Sequence, residues 1–349
     1  MSNILLNEIE MKGWKAEQLA KDIEMSKGMF SKIVNQTSTP ELQNVLKVVR
    51  HVIPHKEKEY MEEYLLTLKS PDRIIEGVEY ASTNRMFPEF KQLLEQMQNG
   101  GTKLKKYAEI YDTVYNFQNH LYSSEEFRQA IKTLNSKKRD EYENVLIDLL
   151  ESYLYYGLNQ YETVKFILKE NHELLLSMEN SYFIESLKVR SSQLLCHITL
   201  IVDVKSENCR KYCEVLKNTQ VGSTYRAYGV FMAGLSYLFD NYEKSYNLLN
   251  EAARMYKSYG LFNNLKACNN KLEVLGAYWG KESSDISQYE NEKDHGDRQF
   301  VYGKVGYDED ALLNALDLFD KRNDNFMKKI TIKALQGFGS KYKFLELVS

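Results

Sequence analysis

Proline is nearly absent from most of this chain. Pro40, Pro54, Pro71 and Pro88 are all it has, and residues 89–349 contain none. Proline removes a helix hydrogen bond and clashes with the preceding turn, so its absence suits long runs of helix stacked on helix. Cysteine is scarce as well. Cys196, Cys209, Cys213 and Cys268 form no CxxC and no paired framework, which excludes a disulfide scaffold and fits a reduced, intracellular setting. No apolar run approaches the ~18 residues of a spanning helix. The opening MSNILLNEIEMKGW places Glu8 and Glu10 where a signal peptide needs an apolar stretch. A soluble, cytoplasmic protein with no membrane partner is expected. The net charge of −3 excludes a polycation that coats nucleic acid along its whole length. Phosphate-cradling loops of the GxxxxGK[ST] and GxGxxG types are missing. His51 and His55 are four apart, but Pro54 separates them. Cys209 and Cys213, also four apart, read as buried small hydrophobes rather than ligands. No enzyme activity, cofactor or metal is expected.

What the chain does have begins at its N-terminus. Residues 1–56 hold eight Lys and Arg against six Asp and Glu, whereas the remainder is acidic on balance. A short helix, Ala16–Ile23, puts Leu19, Ala20 and Ile23 on one face. A break follows at Glu24-Met25. Ser26 is then placed to cap a second helix, Lys27–Asn35, which buries Phe30, Ile33 and Val34. A third helix starts near Thr39-Pro40-Glu41, with proline tolerated in its first turn. It carries Leu42, Val45, Leu46, Val48 and Val49 up to Pro54. Small Ala20 lets the first two helices cross closely, and Met25, Phe30 and Ile33 fill the wedge. The pattern predicts a helix-turn-helix whose second helix enters the major groove of double-stranded DNA. Its outward side is Ser26, Lys27, Gly28, Met29, Ser31, Lys32 and Asn35. The lysines can reach phosphates or guanine edges, and Ser31 and Asn35 offer polar contacts. The alternative is a small bundle with a solvated basic face.

Amphipathic helical segments recur from Glu57 onward. DEYENVLIDLLESYLYYGL meets a turn at Asn159-Gln160 before YETVKFILKE. RAYGVFMAGLSYLF meets a turn at Asp240-Asn241 before YEKSYNLLNEAARMYKSYG. Ala233, Gly234, Ser245 and Ala252 sit where such paired helices touch. This helix-turn-helix pairing is similar to the tetratricopeptide repeat of ~34 residues. The expected fold is all-α: a helix-turn-helix domain (1–56), a tetratricopeptide-like helical solenoid (57–279), a polar loop or insertion (280–307), and C-terminal helices with a dimerisation cap (308–349). The closing stripe Phe344, Leu345, Leu347 and Val348 is either a solenoid cap or the seam of a homodimer. On the long helix Asn180–Asp203, Arg190, Gln193 and His197 form a polar line. The following helix offers Tyr225, Arg226 and Tyr228. Such a line suits a peptide backbone and its carboxylate, or is simply a solvated face.

Taken in order, VEYASTNRMF (78–87), ENSYF (179–183), AGLSYLFDNYEKS (233–245), YWGKES (278–283), NDNF (323–326) and the closing LQGFGSKYKFLELVS resemble the arbitrium receptors (AimR) of Bacillus temperate phages. Those receptors are relatives of the Rap/PlcR/PrgX peptide-sensing group. The resemblance implies a dimeric, quorum-sensing transcription regulator of the lysis-lysogeny decision. In that family a short communication peptide binds the repeat groove and controls binding to the DNA operator. The resemblance carries the family's peptide-contacting acid onto Asp324 and the neighbouring aromatic onto Phe326. The carboxylate-holding arginine falls at Thr224, with Arg226 two residues on. Two polar residues of the next helix become Met232 and Leu235, and the family's asparagine pair would fall near His197 and Ile201 or Val202, so no such pair is present. Together with the polar line Arg190, Gln193 and His197, this gives a peptide-binding set of Arg190, Gln193, His197, Thr224, Arg226, Met232, Leu235, Asp324 and Phe326. A groove so altered fits a different peptide, or none. The other readings are a repeat protein that sequesters a partner and a helix-turn-helix regulator without a peptide ligand.

Overall fold

The computed structural model describes residues 4–37, 40–281, 289 and 291–339. Among the described residues every regular element is helical: α1 (Ile4–Met11), α2 (Ala16–Asp22), α3 (Lys27–Val34), α4 (Leu42–Val52), α5 (Glu57–Leu65), α6 (Pro71–Thr83), α7 (Phe87–Gln98), α8 (Thr102–Gln118), α9 (Ser124–Asn135), α10 (Glu141–Gly157), α11 (Tyr161–Ser177), α12 (Tyr182–His197), α13 (Ser206–Asn218), α14 (Ser223–Ser236), α15 (Tyr242–Ser258), α16 (Phe262–Trp279), α17 (Gly296–Gly306), α18 (Glu309–Lys321) and α19 (Asn325–Gln336). No described helix is long and apolar enough to cross a membrane. The chain forms two compact units, Met1–Lys188 and Val189–Ser349, divided within α12.

The first unit opens with the helix-turn-helix. Leu19 and Ala20 of α2 and Phe30, Ile33 and Val34 of α3 are buried, together with Leu5 of α1 and Val45, Val48 and Val49 of α4. Met25, expected within the wedge, is only half-buried, as is Ile23, expected on the apolar face of the first helix. The tight turn is made at Glu24, whose φ is +53°. A side chain there crowds its own backbone, and glycine does not. Replacing Glu24 with glycine is therefore expected to raise stability by about 0.5–1 kcal/mol, read as a higher denaturation midpoint. An unchanged or lower midpoint would show that the turn carries no strain.

The expected boundary at residue 56 is not a structural break. Arg50 donates from Nε and Nη2 to Glu57 at 2.8 and 2.7 Å, and Tyr80 Oη donates to Glu57 at 2.9 Å. The backbone N–H of Leu42 donates to the buried Glu76 at 3.4 Å. These bonds join α4 to α5 and α6. From α6 to α11, successive helices pack on one another as helix pairs.

In the second unit each helix from α13 to α19 packs on the next. Small residues set the spacing, as the sequence pattern predicts. A Cβ on Gly229 would lie 2.6 Å from Leu216 Cβ, so α13 and α14 meet almost backbone to backbone there. Ser245 Oγ donates to the Gly234 carbonyl at 2.9 Å, locking α15 onto α14. Two expectations need correction. The helix Asn180–Asp203 is not continuous, because after His197 the chain widens into a π turn, Ile198–Val202. Its β-branched run is a poor fit to regular helix packing. The polar stretch 280–307 is not a loop throughout, since α17 occupies 296–306. Phe300 and Val301 supply the apolar anchors, with Gly296 and Gly303 allowing α18 to approach.

Candidate functional site

Helix α3, the candidate DNA-facing element, is built from its cap outward. Ser26 has extended backbone and its Oγ accepts the Met29 N–H at 3.2 Å, which satisfies one orphan donor of the first turn. With Phe30, Ile33 and Val34 turned inward, Ser26, Lys27, Gly28, Ser31, Lys32 and Asn35 are exposed and Met29 is half-buried. Lys27 Nζ lies 3.3 Å from Glu17, but both side chains are more than two-thirds exposed. Such a pair holds weakly and yields easily to a phosphate. Asn35 Nδ2 donates to the Ser31 carbonyl at 2.9 Å, so these two polar groups brace each other on the exposed face. Arg50, counted among the basic residues of this segment, is committed to Glu57.

The expected peptide-binding residues all lie in the second unit, but they do not form one surface. Arg190 is buried, and Gln193 and His197 are half-buried. His197 Nδ1 sits 3.4 Å from Tyr228 Oη, and burial pushes its imidazole down to about 4, so it is neutral at pH 7. In the chain α13 lies between this helix and α14, which carries Tyr225 and Tyr228, yet the His197–Tyr228 contact brings the two helices together. Thr224 is exposed. Arg226 is half-buried, with Nε shut away from solvent and facing no acceptor. Met232, Leu235 and Phe326 are core residues at 1%, 2% and 0% exposure. They offer a ligand no surface here, because their apolar side chains fill the helix contacts. Phe326 packs edge-on against Phe239 with ring centroids 5.0 Å apart. Asp324 caps α19 by accepting the Met327 N–H at 2.9 Å, and burial raises its carboxyl pKa. Phe344, Leu345, Leu347 and Val348 lie outside the described residues.

A cleft does form beside Asp324. Asn325 Nδ2 donates to the Val202 carbonyl at 2.9 Å and ties α19 to the π turn. Between them opens a cleft of about 520 Å³ lined by Val202, Asp203, Val204, Asn325, Lys328, Lys329, Ile332 and Lys333. It adjoins a second hollow of about 400 Å³ that includes Lys205, Phe239 and Asp240. The resemblance named Asp324, which adjoins this cleft without lining it, whereas Lys205, Lys329 and Lys333 were not singled out. Their signal was the i, i+4 spacing of Lys329 and Lys333 on one face of α19.

The cysteines are buried, as expected, but not apart from one another. Cys209 and Cys213 are buried, but Cys196 joins them, with Sγ separations of 3.3 Å (Cys196–Cys209), 3.4 Å (Cys196–Cys213) and 3.7 Å (Cys209–Cys213). Hydrogen bonds from Cys196 and Cys209 pull Cys213 down to about 5, while burial pushes Cys196 up. These are the only three described His, Cys, Asp or Glu residues close enough together to hold a metal.

Comparison with known proteins fits this arrangement. Residues 57–295, more than half of the chain, match the family described as AimR transcriptional regulator-like. The AimR transcriptional regulator of Bacillus phage SPbeta is 22% identical over 343 residues, covering 88% of each chain. The SPbeta prophage-derived protein YopK of Bacillus subtilis (strain 168) matches to the same extent. Among solved structures, the selenomethionine form of phAimR has a TM-score of 0.81 at 17% identity, covering 99% of this chain and 98% of its own. A phAimR–ligand structure has a TM-score of 0.64 at 16% identity, covering 86% of this chain and 98% of its own. The all-α architecture, with its helix-turn-helix and tetratricopeptide-like helix pairs, is shared with these structures, and the chain belongs to the AimR transcriptional regulator-like family.

Proposed function

We propose that this protein is a homodimeric DNA-binding regulator of a temperate phage's lysis-lysogeny decision, and that a short peptide bound by its second unit controls its grip on the operator. The observation that carries this reading is the outward face of α3, capped at Ser26 and cationic at Lys27 and Lys32. The phage origin of the SPbeta regulator supports the biological setting. That phAimR was solved with a ligand supports a liganded state in this family. In this chain the cleft beside the π turn supplies the recognition chemistry. Lys205, Lys329 and Lys333 suit a peptide's carboxylates, and Asp203 suits a cationic residue. Peptide can shift DNA binding only by its differential affinity for the two states.

The test is a gel shift on phage DNA flanking the gene, with and without synthetic peptides encoded by adjacent short reading frames. One peptide is expected to weaken operator binding at least about tenfold at saturation, equivalent to about 1.4 kcal/mol of differential affinity. Intact DNA binding with no response to any such peptide would leave a regulator without the peptide switch. No DNA binding at all would remove the reading.

A further inference from the structure

Three of the four cysteines converge on one buried point. Cys196 comes from the last turn of α12, and Cys209 and Cys213 come from successive turns of α13's inner face. All three are 0% exposed. Cys268 shows what an ordinary buried thiol does in this protein: its Sγ donates to the Leu249 carbonyl at 3.1 Å. The other three face one another instead. A thiol is a weak donor and a weak acceptor, so mutual contact is a small reward for filling one spot with three of them.

We propose that Cys196, Cys209 and Cys213 form a metal site that takes one Zn²⁺ through three thiolates. Zinc held by thiolates at about 2.3 Å places tetrahedral sulfurs about 3.8 Å apart. The observed triangle of 3.3, 3.4 and 3.7 Å is smaller than that by about 0.5 Å at most, so binding needs only a slight opening. Thiolate ligands select soft cations, chiefly Zn²⁺ and Cu⁺. Charge decides between them. Three thiolates leave a surplus of one negative charge on Zn²⁺ and of two on Cu⁺. Arg210 and Lys217 lie nearby, but each is already paired with a carboxylate, Asp240 and Glu214. The buried site itself must hold the surplus, and the smaller one costs less to bury. On binding, each thiol releases its proton to solvent and donates a sulfur lone pair to the metal, with no change of oxidation state. The fourth position is left to water or a small ligand. The π turn and Lys205 lie in the chain between Cys196 and Cys209, so the metal would staple the segment that walls the basic cleft.

The experiment uses the full chain, reduced and stripped with a chelator. Zn²⁺ is titrated in competition with a chromophoric chelator, and stoichiometry is read by native mass spectrometry. Co²⁺ substitution reports sulfur ligation through its thiolate charge-transfer absorption. One Zn²⁺ per chain is expected, and, with the chain loosened by mild denaturant so that the buried thiols can react, Zn²⁺ should protect three thiols from alkylation and leave Cys268 unaffected. Cys196→Ser should lose the metal and Cys268→Ser should keep it. Four results overturn the proposal: no Zn²⁺ taken up at micromolar concentration, alkylation that ignores Zn²⁺, an unchanged stoichiometry in Cys196→Ser, or uptake of Cu⁺ alone. Should Cys196→Ser fail to fold, stoichiometry and alkylation of the wild-type chain still decide the matter.

Discussion

Replacing both Lys27 and Lys32 with alanine is expected to weaken binding to the operator by at least about tenfold and to lower the slope of log affinity against log salt by about 2. Each lysine that neutralises a phosphate releases one condensed counterion, and the slope falls by about 0.9 for each phosphate left without its lysine. The fold should not suffer. Both side chains are exposed, and the core contacts of α3 come from Phe30, Ile33 and Val34. At Glu17 the effect has the opposite sign. Glu17 lies 3.3 Å from Lys27 in the free protein and would repel a bound duplex, so Glu17→Gln should strengthen binding and steepen the slope. Fluorescence anisotropy across a salt series reads both variants. If the double variant keeps its affinity and slope while remaining folded, α3 does not touch DNA and the basic face is merely solvated.

Helix α3 and its cap were legible because their determinants are local. The cap, the broken turn and the apolar spacing all lie within residues 16–35. The helix pairs were legible for the same reason: Asn159 takes a left-handed backbone at the turn, and Asn241 caps α15. What sequence could not show depends on partners far apart in the chain. Arg50 counted as a surface cation until Tyr80 and Glu57 placed it in a bonded cluster. The basic cleft needs Asn325 to reach Val202 across 123 residues, and no periodicity encodes that meeting. The thiol triangle needs α13 to return against the end of α12, which places Cys209 and Cys213 beside Cys196. The stretch 280–307 misled because its polar composition hid two glycines that serve packing, not looping.

Phe326→Ala separates a core role from a ligand role at the residue the family resemblance assigns to peptide contact. The side chain is 0% exposed and packs edge-on with Phe239, one layer beneath the hollow that Phe239 lines. Truncating a fully buried phenylalanine removes its transfer energy and leaves a cavity, so a loss of about 3–5 kcal/mol is expected. In urea this appears as a lower midpoint for the transition reporting α19, with an unchanged slope. Phe326→Leu, which keeps most of the volume, should lose clearly less. Any effect on peptide affinity should follow the loss of stability across the two variants, because the floor of the cleft loosens as the core does. If Phe326→Ala leaves the midpoint in place and abolishes peptide binding, the ring turns outward to meet the ligand. The family's contact would then be preserved, and the buried arrangement would be only one of two states.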